Sequence, residues 1–432
     1  MSTASPTVMI TPTFLETCAQ EALDPQCAAV GVANGSLVYL CSKKSETQEG
    51  FSPRLVGEPT RRKAAALLGL GPRDKNREAI VQSISVILAA RPDVVMDLTT
   101  NPEGIALRSE LKQVVGVPLG ACLTYDLFSR PREKFTESVF LERLEASLAS
   151  GIDFALLHWG MSWPLIDAMK NAKRVMPTTS RGGGLICRYM RLHHCENPFV
   201  EYLDGIACLF HDYGVVVDLG DIFRPGCTAD AGDEMKWMEI EFLATQREAL
   251  RTHGVQVLCE GGGHIPLNKI TELLPKYKAR LGNAPMWLSG PVVADTGVTL
   301  DSIVNTIGVA FAGLCGGDMF CSITQNEHYA MPTAVETAEA LRNIHVAIEA
   351  VELARGRTEV VDRNNALSRA RARNAWSSQV EYALYPDLAN QAFIANNLLK
   401  DGVPCTICGS LCPHIIVRVT PDTSQGLQSA HS

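Results

Sequence analysis

Short apolar runs rich in β-branched residues alternate, from about residue 90 onward, with helical patterns of roughly 15 to 25 residues. This alternation is typical of βα units wound around a parallel sheet. Eight such units in about 240 residues match the size of a (βα)8 TIM-type barrel. An open doubly wound sheet is the less favoured alternative, because no G-x-G-x-x-G motif follows the first strand. The eight predicted strands are Val94–Thr100, Val117–Thr124, Phe154–Trp159, Arg174–Ser180, Val215–Asp221, Val255–Gly261, Pro285–Pro291 and Asp318–Thr324.

The strand pattern divides the chain into three predicted parts. We expect an N-terminal domain at residues 1–88, a barrel catalytic domain at 89–350, and a C-terminal helical segment with a cysteine-bearing tail at 351–432. A chain of 432 residues, 46% of them hydrophobic, is long enough to bury a large core in this arrangement. The predicted fold class is therefore α/β, a TIM-type barrel with an N-terminal and a C-terminal segment.

Polar side chains collect at the carboxyl ends of the predicted strands, where the active sites of such barrels lie. The fourth predicted strand runs into TTSRGGGL, in which Ser180, Arg181 and Gly182 begin a run that can cradle a phosphate with backbone N–H groups. The positive charge of an arginine suits the same anion. The other strand ends contribute Asp218, Asp221 and Arg224 after strand five, Glu260 and His264 after strand six, Ser289 and Asp295 after strand seven, and Glu327 and His328 after strand eight.

These residues also have structural interpretations. Arg181 and Arg224 are consistent with surface ion pairs, and the glycine runs are consistent with tight βα turns. His264 taken alone is more often a hydrogen-bonded loop histidine than a metal ligand. Together with His328, past another strand of the same barrel, it predicts two imidazoles that converge on one ion. His158, which closes the third strand, is a weaker site candidate.

Three cysteines, Cys405, Cys408 and Cys412, lie close together in the segment CTICGSLC. Three thiolates on one loop can hold three irons of a 4Fe–4S cluster and leave the fourth iron open to a ligand. The same spacing also fits part of a zinc site that His414 or another residue completes. The spacing alone leaves both interpretations open.

Composition excludes several classes of protein. A formal net charge of −8 and a pI near 5.7, with no basic tract, argue against a nucleic-acid-binding protein. The N-terminus does not look like a secretory signal, and no apolar run is long enough to predict a membrane span. The 14 cysteines are mostly scattered rather than arranged as a disulfide scaffold. We therefore expect a cytoplasmic protein.

Several motifs, in unbroken order, resemble the ThiC family of radical S-adenosylmethionine (SAM) enzymes. Radical SAM enzymes cleave SAM to start their chemistry, and this family rearranges 5-aminoimidazole ribotide. The similarity covers roughly residues 150 to 412, with a weaker likeness toward the N-terminus. The motifs are SRGGGLICRYMRLHHCENPFVEYLDGI, DLGDIFRPGCTADAGDE, VQVLCEGGGHIPLNKI, GPVVAD, SITQNEHYAMP, ALSRARARNAW and CTICGSLC.

The resemblance implies a barrel whose C-terminal cluster segment reaches over an active site, that of the partner in a homodimer. It implies that Cys405, Cys408 and Cys412 hold a 4Fe–4S cluster that binds SAM and takes its electron from a donor such as flavodoxin or ferredoxin. His264 and His328 match histidines that hold a single divalent metal ion, zinc or iron. The implied substrate-binding residues are Ser180, Arg181, Gly182, Asp221, Arg224, Glu260 and Ser289, with Glu260 and Asp221 also in catalytic roles.

Differences from the family's usual motifs lie around the expected pocket. RRKAAALLGLGP keeps Lys63 but lacks the asparagines of the family's Lys-x-Asn-Ala-Asn-Ile-Gly, and GDIFRPG places bulkier Ile222 and Phe223 beside the pocket. Because the metal and cluster motifs persist while these motifs differ, the sequence favours the branch of the family that makes 5-hydroxybenzimidazole for cobamides. The thiamin pyrimidine, 4-amino-5-hydroxymethyl-2-methylpyrimidine phosphate, is the alternative product. A non-catalytic metal-binding paralogue is an alternative of another class.

Overall fold

The computed structural model describes residues 6–129, 133–398 and 400–417. The chain forms two compact units, Met1–Val351 and Glu352–Ser432. The first unit contains a small N-terminal layer and a closed barrel, and the second is helical.

The N-terminal layer consists of short helices and a two-stranded antiparallel sheet. Thr11 and Asp24 cap the first two helices with side-chain oxygens that accept backbone N–H bonds. Phe14 and Tyr39 meet edge to face, with ring centroids 5.1 Å apart, in a small core of their own. The elements are α1 (Pro12–Gln20), α2 (Pro25–Asn34), β1 (Leu37–Leu40), α3 (Lys43–Glu46) and β2 (Arg54–Gly57), and β1 pairs with β2.

Eight parallel strands close into a barrel, which confirms the predicted fold class. The strands follow one another around the barrel in chain order, and the last strand pairs with the first. Side chains alternate between the barrel interior and the helical layer. The strands are β3 (Lys63–Leu68), β4 (Val94–Asp97), β5 (Leu119–Cys122), β6 (Phe154–Leu157), β7 (Val216–Leu219), β8 (Val257–His264), β9 (Met286–Val292) and β10 (Met319–Cys321).

Helices cover the outside of the barrel and join the outward-facing strand residues in one large apolar core. This packing fixes the strands, so the loops at their carboxyl ends stand on a rigid base. The helices are α4 (Arg77–Leu88), α5 (Gly104–Leu111), α6 (Leu123–Phe128), α7 (Glu137–Leu148), α8 (Trp163–Met169), α9 (Arg181–His193), α10 (Pro198–Glu201), α11 (Leu203–Tyr213), α12 (Glu234–Thr252), α13 (Leu267–Arg280), α14 (Asp301–Leu314) and α15 (Ala334–Ala354), with a 3-10 turn at Thr228–Asp230.

One predicted strand is wrong and one strand was missed. Residues 174–180 form no strand, because Arg174 is held by Asp233 at 2.6 Å and Pro177 removes a backbone donor. The barrel instead begins with β3, inside the stretch that the sequence assigned to an N-terminal domain. Its alanine-rich sequence KAAALL has low strand propensity, so the strand exists because its neighbours bury it. The other seven predicted strands overlap β4 to β10.

The second unit carries the cysteine-bearing loop. Its elements are α16 (Thr358–Ala372), α17 (Trp376–Tyr382), α18 (Pro386–Ala395), a 3-10 turn at Gly409–Leu411 and α19 (Pro413–Ile416). The indole of Trp376 donates to the carbonyl of Val403 at 2.9 Å, and the hydroxyl of Ser377 donates to Asp401 at 2.8 Å. These bonds anchor the start of the loop on the helices. Across the described part of the chain, every helix is too short or too polar to cross a membrane.

Candidate active site

A cavity of about 290 Å³ lies at the carboxyl ends of the barrel strands. Its lining includes both charged or polar residues and apolar residues. The polar lining residues include His158, Arg181, Arg224, Glu260, His264, Ser289, Glu327 and His328. The apolar lining residues include Leu67, Leu98, Leu156, Trp287 and Ile323. The cavity therefore collects most of the polar residues that the sequence placed at strand ends.

Arg224 joins two carboxylates in the polar wall. Its Nη1 donates to Asp221 Oδ1 at 3.0 Å and to Glu260 Oε1 at 2.9 Å. The backbone N–H of Asp221 donates to Glu260 Oε2 at 3.1 Å, and the hydroxyl of Ser289 donates to Glu260 Oε1 at 3.1 Å. Four of the predicted site residues thus form one hydrogen-bonded network. Both carboxylates are held in fixed positions, Asp221 just after β7 and Glu260 within β8.

Two residues that the sequence interpretation missed extend this network from helix α12. Lys236 donates to Asp221 Oδ2 at 2.6 Å and to Glu239 Oε2 at 2.9 Å, and all three side chains are buried. Glu239 also accepts the backbone N–H groups of Ile222 and Phe223. A lysine and a glutamate one helical turn apart on an otherwise buried face were the available signal.

The network holds two cations, Arg224 and Lys236, against three carboxylates. Burial opposes ionisation of Asp221, but Lys236 and Arg224 outweigh it and lower its pKa. Burial raises the pKa of Glu239, and it raises that of Glu260 to about 7, with Asp221 adding to the effect on Glu260 and Arg224 opposing it. Glu260, which also lines the cavity, can therefore take up or release a proton near neutral pH.

Asp218 lies deeper in the barrel, one inward-facing position before the loop. It is fully buried, and neither carboxylate oxygen has a hydrogen-bond partner in the described residues. Burial raises its pKa well above the usual range, and the charges of Glu260 and Asp221 add to the shift. The sequence placed it among the polar strand-end residues. In the structure Asp218 does not line the cavity and lies behind its wall.

The N-terminus of helix α9 faces the cavity at Arg181. Ser180 caps the helix by accepting the N–H of Gly183 at 3.0 Å, so Ser180 positions the first turn. A side chain at Gly182 would clash with the ring of His158, with a Cβ only 2.2 Å from its Nδ1, so glycine lets the helix start approach the barrel closely. Free backbone N–H groups and a guanidinium together favour an anion here.

Arg181 is available to a ligand. Its guanidinium carbon lies 5.5 Å from the ring centroid of Tyr125, a cation–π distance, and no carboxylate in the described residues forms an ion pair with it. Arg224, by contrast, is neutralised by Asp221 and Glu260. The surface-ion-pair interpretation therefore fails for Arg181, and the ion pair of Arg224 is internal to the site.

His158 and Tyr125 complete the pocket wall next to Arg181. The Nδ1 of His158 lies 3.1 Å from the hydroxyl of Thr124, and burial, together with Arg224, lowers the pKa of His158 to about 3. His158 is thus a neutral hydrogen-bonding group rather than a cation. The sequence had ranked it as a weaker candidate, and it missed Tyr125, which stands in the short helix α6 after β5.

Two expectations about the pocket wall are wrong. Ile222 and Phe223 are fully buried and do not line the cavity, and Ile222 packs against Gly183 of α9. Lys63 lies at the amino end of β3, at the opposite end of the barrel, where it donates to Glu21 at 2.7 Å. The residue of that segment that does reach the cavity is Leu67.

His264 and His328 meet at the mouth of the cavity, as expected. Their Nε2 atoms lie 3.2 Å apart. Gly263, at φ +86°, packs so tightly against Pro225 that a Cβ would lie 2.4 Å from its carbonyl oxygen, and the N–H of His264 donates to that oxygen at 2.8 Å. The end of β8 and the loop after β7 are thereby joined beneath the histidine pair. No third donor side chain joins the pair at single-ion distance within the described chain.

A larger cavity of about 730 Å³ adjoins the first and shares Arg181, Glu327 and His328 with it. Its walls come mainly from the loop after β3, from helix α4 and from residues 329–334, and most of the groups in them are apolar. The histidine pair and Arg181 therefore stand where a small polar pocket meets a larger apolar one.

Comparisons with known proteins identify the family. The model of the radical SAM ThiC family matches residues 1–419. Phosphomethylpyrimidine synthases of Archaeoglobus fulgidus and Thermus thermophilus are each 31% identical to the chain, over 88% and 92% of it and 90% and 92% of their own lengths. The enzyme of that name from Methanocaldococcus jannaschii is 29% identical over 90% of the chain and 91% of its own length. The chain belongs to the radical SAM ThiC family.

Solved structures add little to this assignment. Dihydropteroate synthases of Yersinia pestis and Coxiella burnetii align at TM-scores of 0.40 and 0.42, with 12% and 9% identity. The alignments cover 68% and 73% of this chain and 93% and 99% of those chains. Likeness at this level carries no argument about function.

Membership in this family implies a 4Fe–4S cluster and SAM, and the cysteine loop suits such a cluster. Backbone N–H groups of Cys408 and Ile407 point at the sulfur of Cys405 and lower its pKa, as they would for a thiolate bound to iron. Buried Asn374 donates to the sulfur of Cys412 at 3.9 Å. Each cysteine of such a loop binds a different iron, so the three sulfurs need not converge on one point.

Proposed function

We propose that this radical SAM enzyme is a phosphomethylpyrimidine synthase, which rearranges 5-aminoimidazole ribotide to the hydroxymethylpyrimidine phosphate of thiamin. The relatives that bear this name cover about nine-tenths of the chain. The sequence preference for 5-hydroxybenzimidazole rested partly on Ile222 and Phe223, which lie outside the pocket wall. The pyrimidine phosphate is therefore the better-supported product.

The observation that carries the proposal is the pairing of an unneutralised arginine with a buried carboxylate network across one small cavity. The ribotide phosphate would bind Arg181 and the N-terminus of α9, since these groups are cationic and donor-rich. The ribose hydroxyls and exocyclic amine would meet Glu260 and Ser289, which line the cavity and offer fixed oxygens. Asp221, which the sequence placed among the substrate-binding residues, is buried behind the cavity wall and holds Arg224 and Lys236. The apolar wall at Leu67 and Leu98 would exclude water from reactive groups.

The chain's own residues would position the ligand and move protons. Glu260 is the best candidate for a proton acceptor or donor, because its pKa of about 7 leaves both forms populated. Asp221, held ionised by Lys236 and Arg224, would keep Arg224 in position rather than move a proton. When bound, the cluster and SAM supply a 5′-deoxyadenosyl radical after one-electron reduction.

The family's single divalent metal fits the histidine pair. Two imidazole nitrogens bound to one tetrahedral zinc at ~2.0–2.1 Å would be roughly 3.3–3.4 Å apart, and the observed Nε2 separation is 3.2 Å. His264 and His328 would hold the ion, with its remaining positions open to water or to a ligand. Zinc and ferrous iron both accept such donors. The proposal also includes an electron donor such as flavodoxin or ferredoxin. It further includes a homodimer in which the cluster segment of one subunit lies over the active site of the other.

The experiment that tests the product is an anaerobic reaction of reconstituted protein with SAM, dithionite and 5-aminoimidazole ribotide, analysed by mass spectrometry. The pyrimidine phosphate supports the proposal. 5-Hydroxybenzimidazole would move the enzyme to cobamide biosynthesis. A protein that holds zinc without iron and does not convert the ribotide would support a non-catalytic paralogue. In that case Cys408→Ser should leave ligand binding unchanged.

A further inference from the structure

Each histidine of the pair has a carboxylate behind it. The Nδ1 of His264 lies 2.7 Å from Asp295 Oδ1, and the Nδ1 of His328 lies 3.0 Å from Asp301 Oδ1. The two carboxylates come from different segments, one in the loop after β9 and the other in the first turn of α14. The same arrangement, a carboxylate, an imidazole and an inward-facing Nε2, therefore occurs twice around one point.

The carboxylates determine which nitrogen of each imidazole ring carries the proton. An Nδ1 that faces a carboxylate carries the proton, because an unprotonated nitrogen would face a negative charge. In each neutral ring the Nε2 then presents a lone pair. Two lone pairs at 3.2 Å repel each other unless a cation, either a shared proton or a metal ion, lies between them. The four side chains together are thus arranged for a cation between the rings.

We propose that Asp295 and Asp301 are positioning residues that fix the tautomer and the aim of His264 and His328 toward the divalent ion. The inference rests on the proposed function only in taking that ion from the family's chemistry. Neither aspartate touches the ion. Each acts through its histidine, whose Nε2 it makes a better and better-directed ligand.

The two aspartates differ at their second carboxylate oxygen, which within the described residues is bonded in Asp295 but not in Asp301. Asp295 Oδ2 accepts the backbone N–H of Thr228 at 2.9 Å and its hydroxyl at 2.7 Å, so Asp295 also fixes the loop that carries Arg224. Asp301 is buried, and its Oδ2 has no hydrogen-bond partner in the described residues. A buried carboxylate oriented by a single bond to one histidine is costly to keep, which is consistent with a role toward that histidine.

Zinc affinity measured on the full-length, cluster-reconstituted protein tests the proposal. Protein freed of loosely held metal is dialysed anaerobically against graded Zn²⁺ and analysed for bound zinc. The double variant His264→Ala/His328→Ala gives the background from zinc held elsewhere. We expect wild-type protein to bind one zinc per chain above that background. Asp295→Asn and Asp301→Asn should each weaken this binding about 10- to 100-fold.

Three controls separate positioning from general damage. Thr228→Val removes the hydroxyl bond to Asp295 but leaves the bond from Asp295 to His264, so it should bind zinc like the wild type. Asp295→Glu restores the charge and should recover part of the lost affinity. Every variant should keep its cluster iron and its thermal midpoint. Wild-type zinc affinity in both Asp→Asn variants, or in the double histidine variant, would overturn the inference.

The zinc-binding experiment and the turnover experiment can fail independently of each other. Zinc binding is read without turnover, so a wild-type protein that binds zinc through these residues but does not convert the ribotide supports the inference and rejects the function. Turnover of the ribotide by Asp→Asn variants with unaltered zinc affinity supports the function and rejects the inference.

Discussion

A single nitrogen of Arg224, Nη1, donates to Asp221 at 3.0 Å and to Glu260 at 2.9 Å. The arginine thereby ties the loop after β7 to strand β8, whereas Arg181 has no ion-pair partner in the described residues and is available to a ligand. The charge of Arg224 is used inside the protein, whereas the charge of Arg181 faces the cavity. This division of roles between two arginines of the same pocket leads to distinct expectations for their variants.

Arg181→Ala should weaken binding of the ribotide about 10- to 100-fold, because a charge-assisted bond to phosphate is lost. Binding of the ribotide to the protein without SAM, measured by isothermal titration calorimetry, provides the test. Arg188→Ala is the matched control, since Arg188 stands on the same helix and donates to the carbonyl of Phe128. Equal losses in the two variants would contradict the assignment of the phosphate to Arg181.

Glu260 should make the stability of the protein fall as pH rises. Its pKa is raised from 4.5 to about 7 in the folded chain, so the folded state holds the proton more tightly than the unfolded state. Stability is then lost between about pH 4.5 and pH 7, by on the order of 3 kcal/mol. Burial of Asp218 and Glu239 shifts stability in the same direction, whereas Asp221, with its lowered pKa, acts oppositely at more acidic pH.

The measurement is the free energy of unfolding by urea at several pH values between 5 and 8. Glu260→Gln should show a flatter dependence on pH than the wild type, because glutamine does not titrate. A slope in Glu260→Gln equal to that of the wild type would show that Glu260 titrates normally in the folded chain.

Asp218→Val should stabilise the protein by about 1–3 kcal/mol at pH 7, because it removes a buried carboxyl that has no partner. Asp318→Val is the contrasting control. Asp318 is also fully buried in the barrel, but it accepts from Arg62 at 3.2 Å and from Lys278 at 2.6 Å. Its loss should cost about 3–5 kcal/mol, because it breaks two buried ion pairs, to Arg62 and to Lys278. Thermal and urea unfolding of both variants check the pair, and destabilisation by Asp218→Val would show that its carboxyl is satisfied.

Cys408→Ser should abolish the iron–sulfur absorption of the reconstituted protein, because two cysteines do not hold a 4Fe–4S cluster stably. Cys208→Ser is a suitable control, since Cys208 is an exposed cysteine outside the loop. Iron and sulfide analysis with the visible spectrum provide the readout. Zinc in place of iron in the wild-type protein would instead favour the structural zinc site that the cysteine spacing left open.

The sequence predicted the parts of the site that follow directly from strands. Glu260 and His264 end a clear apolar run, and the geometry of a parallel barrel brings such strand ends together. The start of the barrel was not predictable in the same way, because the alanines of β3 carry no strand signal of their own. The strand predicted at residues 174–180 was wrong for the opposite reason. Its valine and threonines favour a strand, but they lie in a loop.

The residues that stand behind the site were harder to find from sequence. Lys236 reaches Asp221 from a helix, and Asp301 reaches His328 across 27 residues of chain. Such contacts depend on how helices seat against the barrel, which local patterns do not determine. Ile222 and Phe223 show the same limit, because their position in the motif does not reveal that both turn into the core.

The most direct test of the account is 5′-deoxyadenosine formation in the presence and absence of 5-aminoimidazole ribotide, compared between wild type, Arg181→Ala and Glu260→Gln at equal cluster content. We expect the ribotide to stimulate deoxyadenosine formation in the wild type, and each variant to lose most of that stimulation while keeping the background rate. A wild-type rate that does not respond to the ribotide, or variants that respond as the wild type does, would contradict the assignment of this pocket to the ribotide.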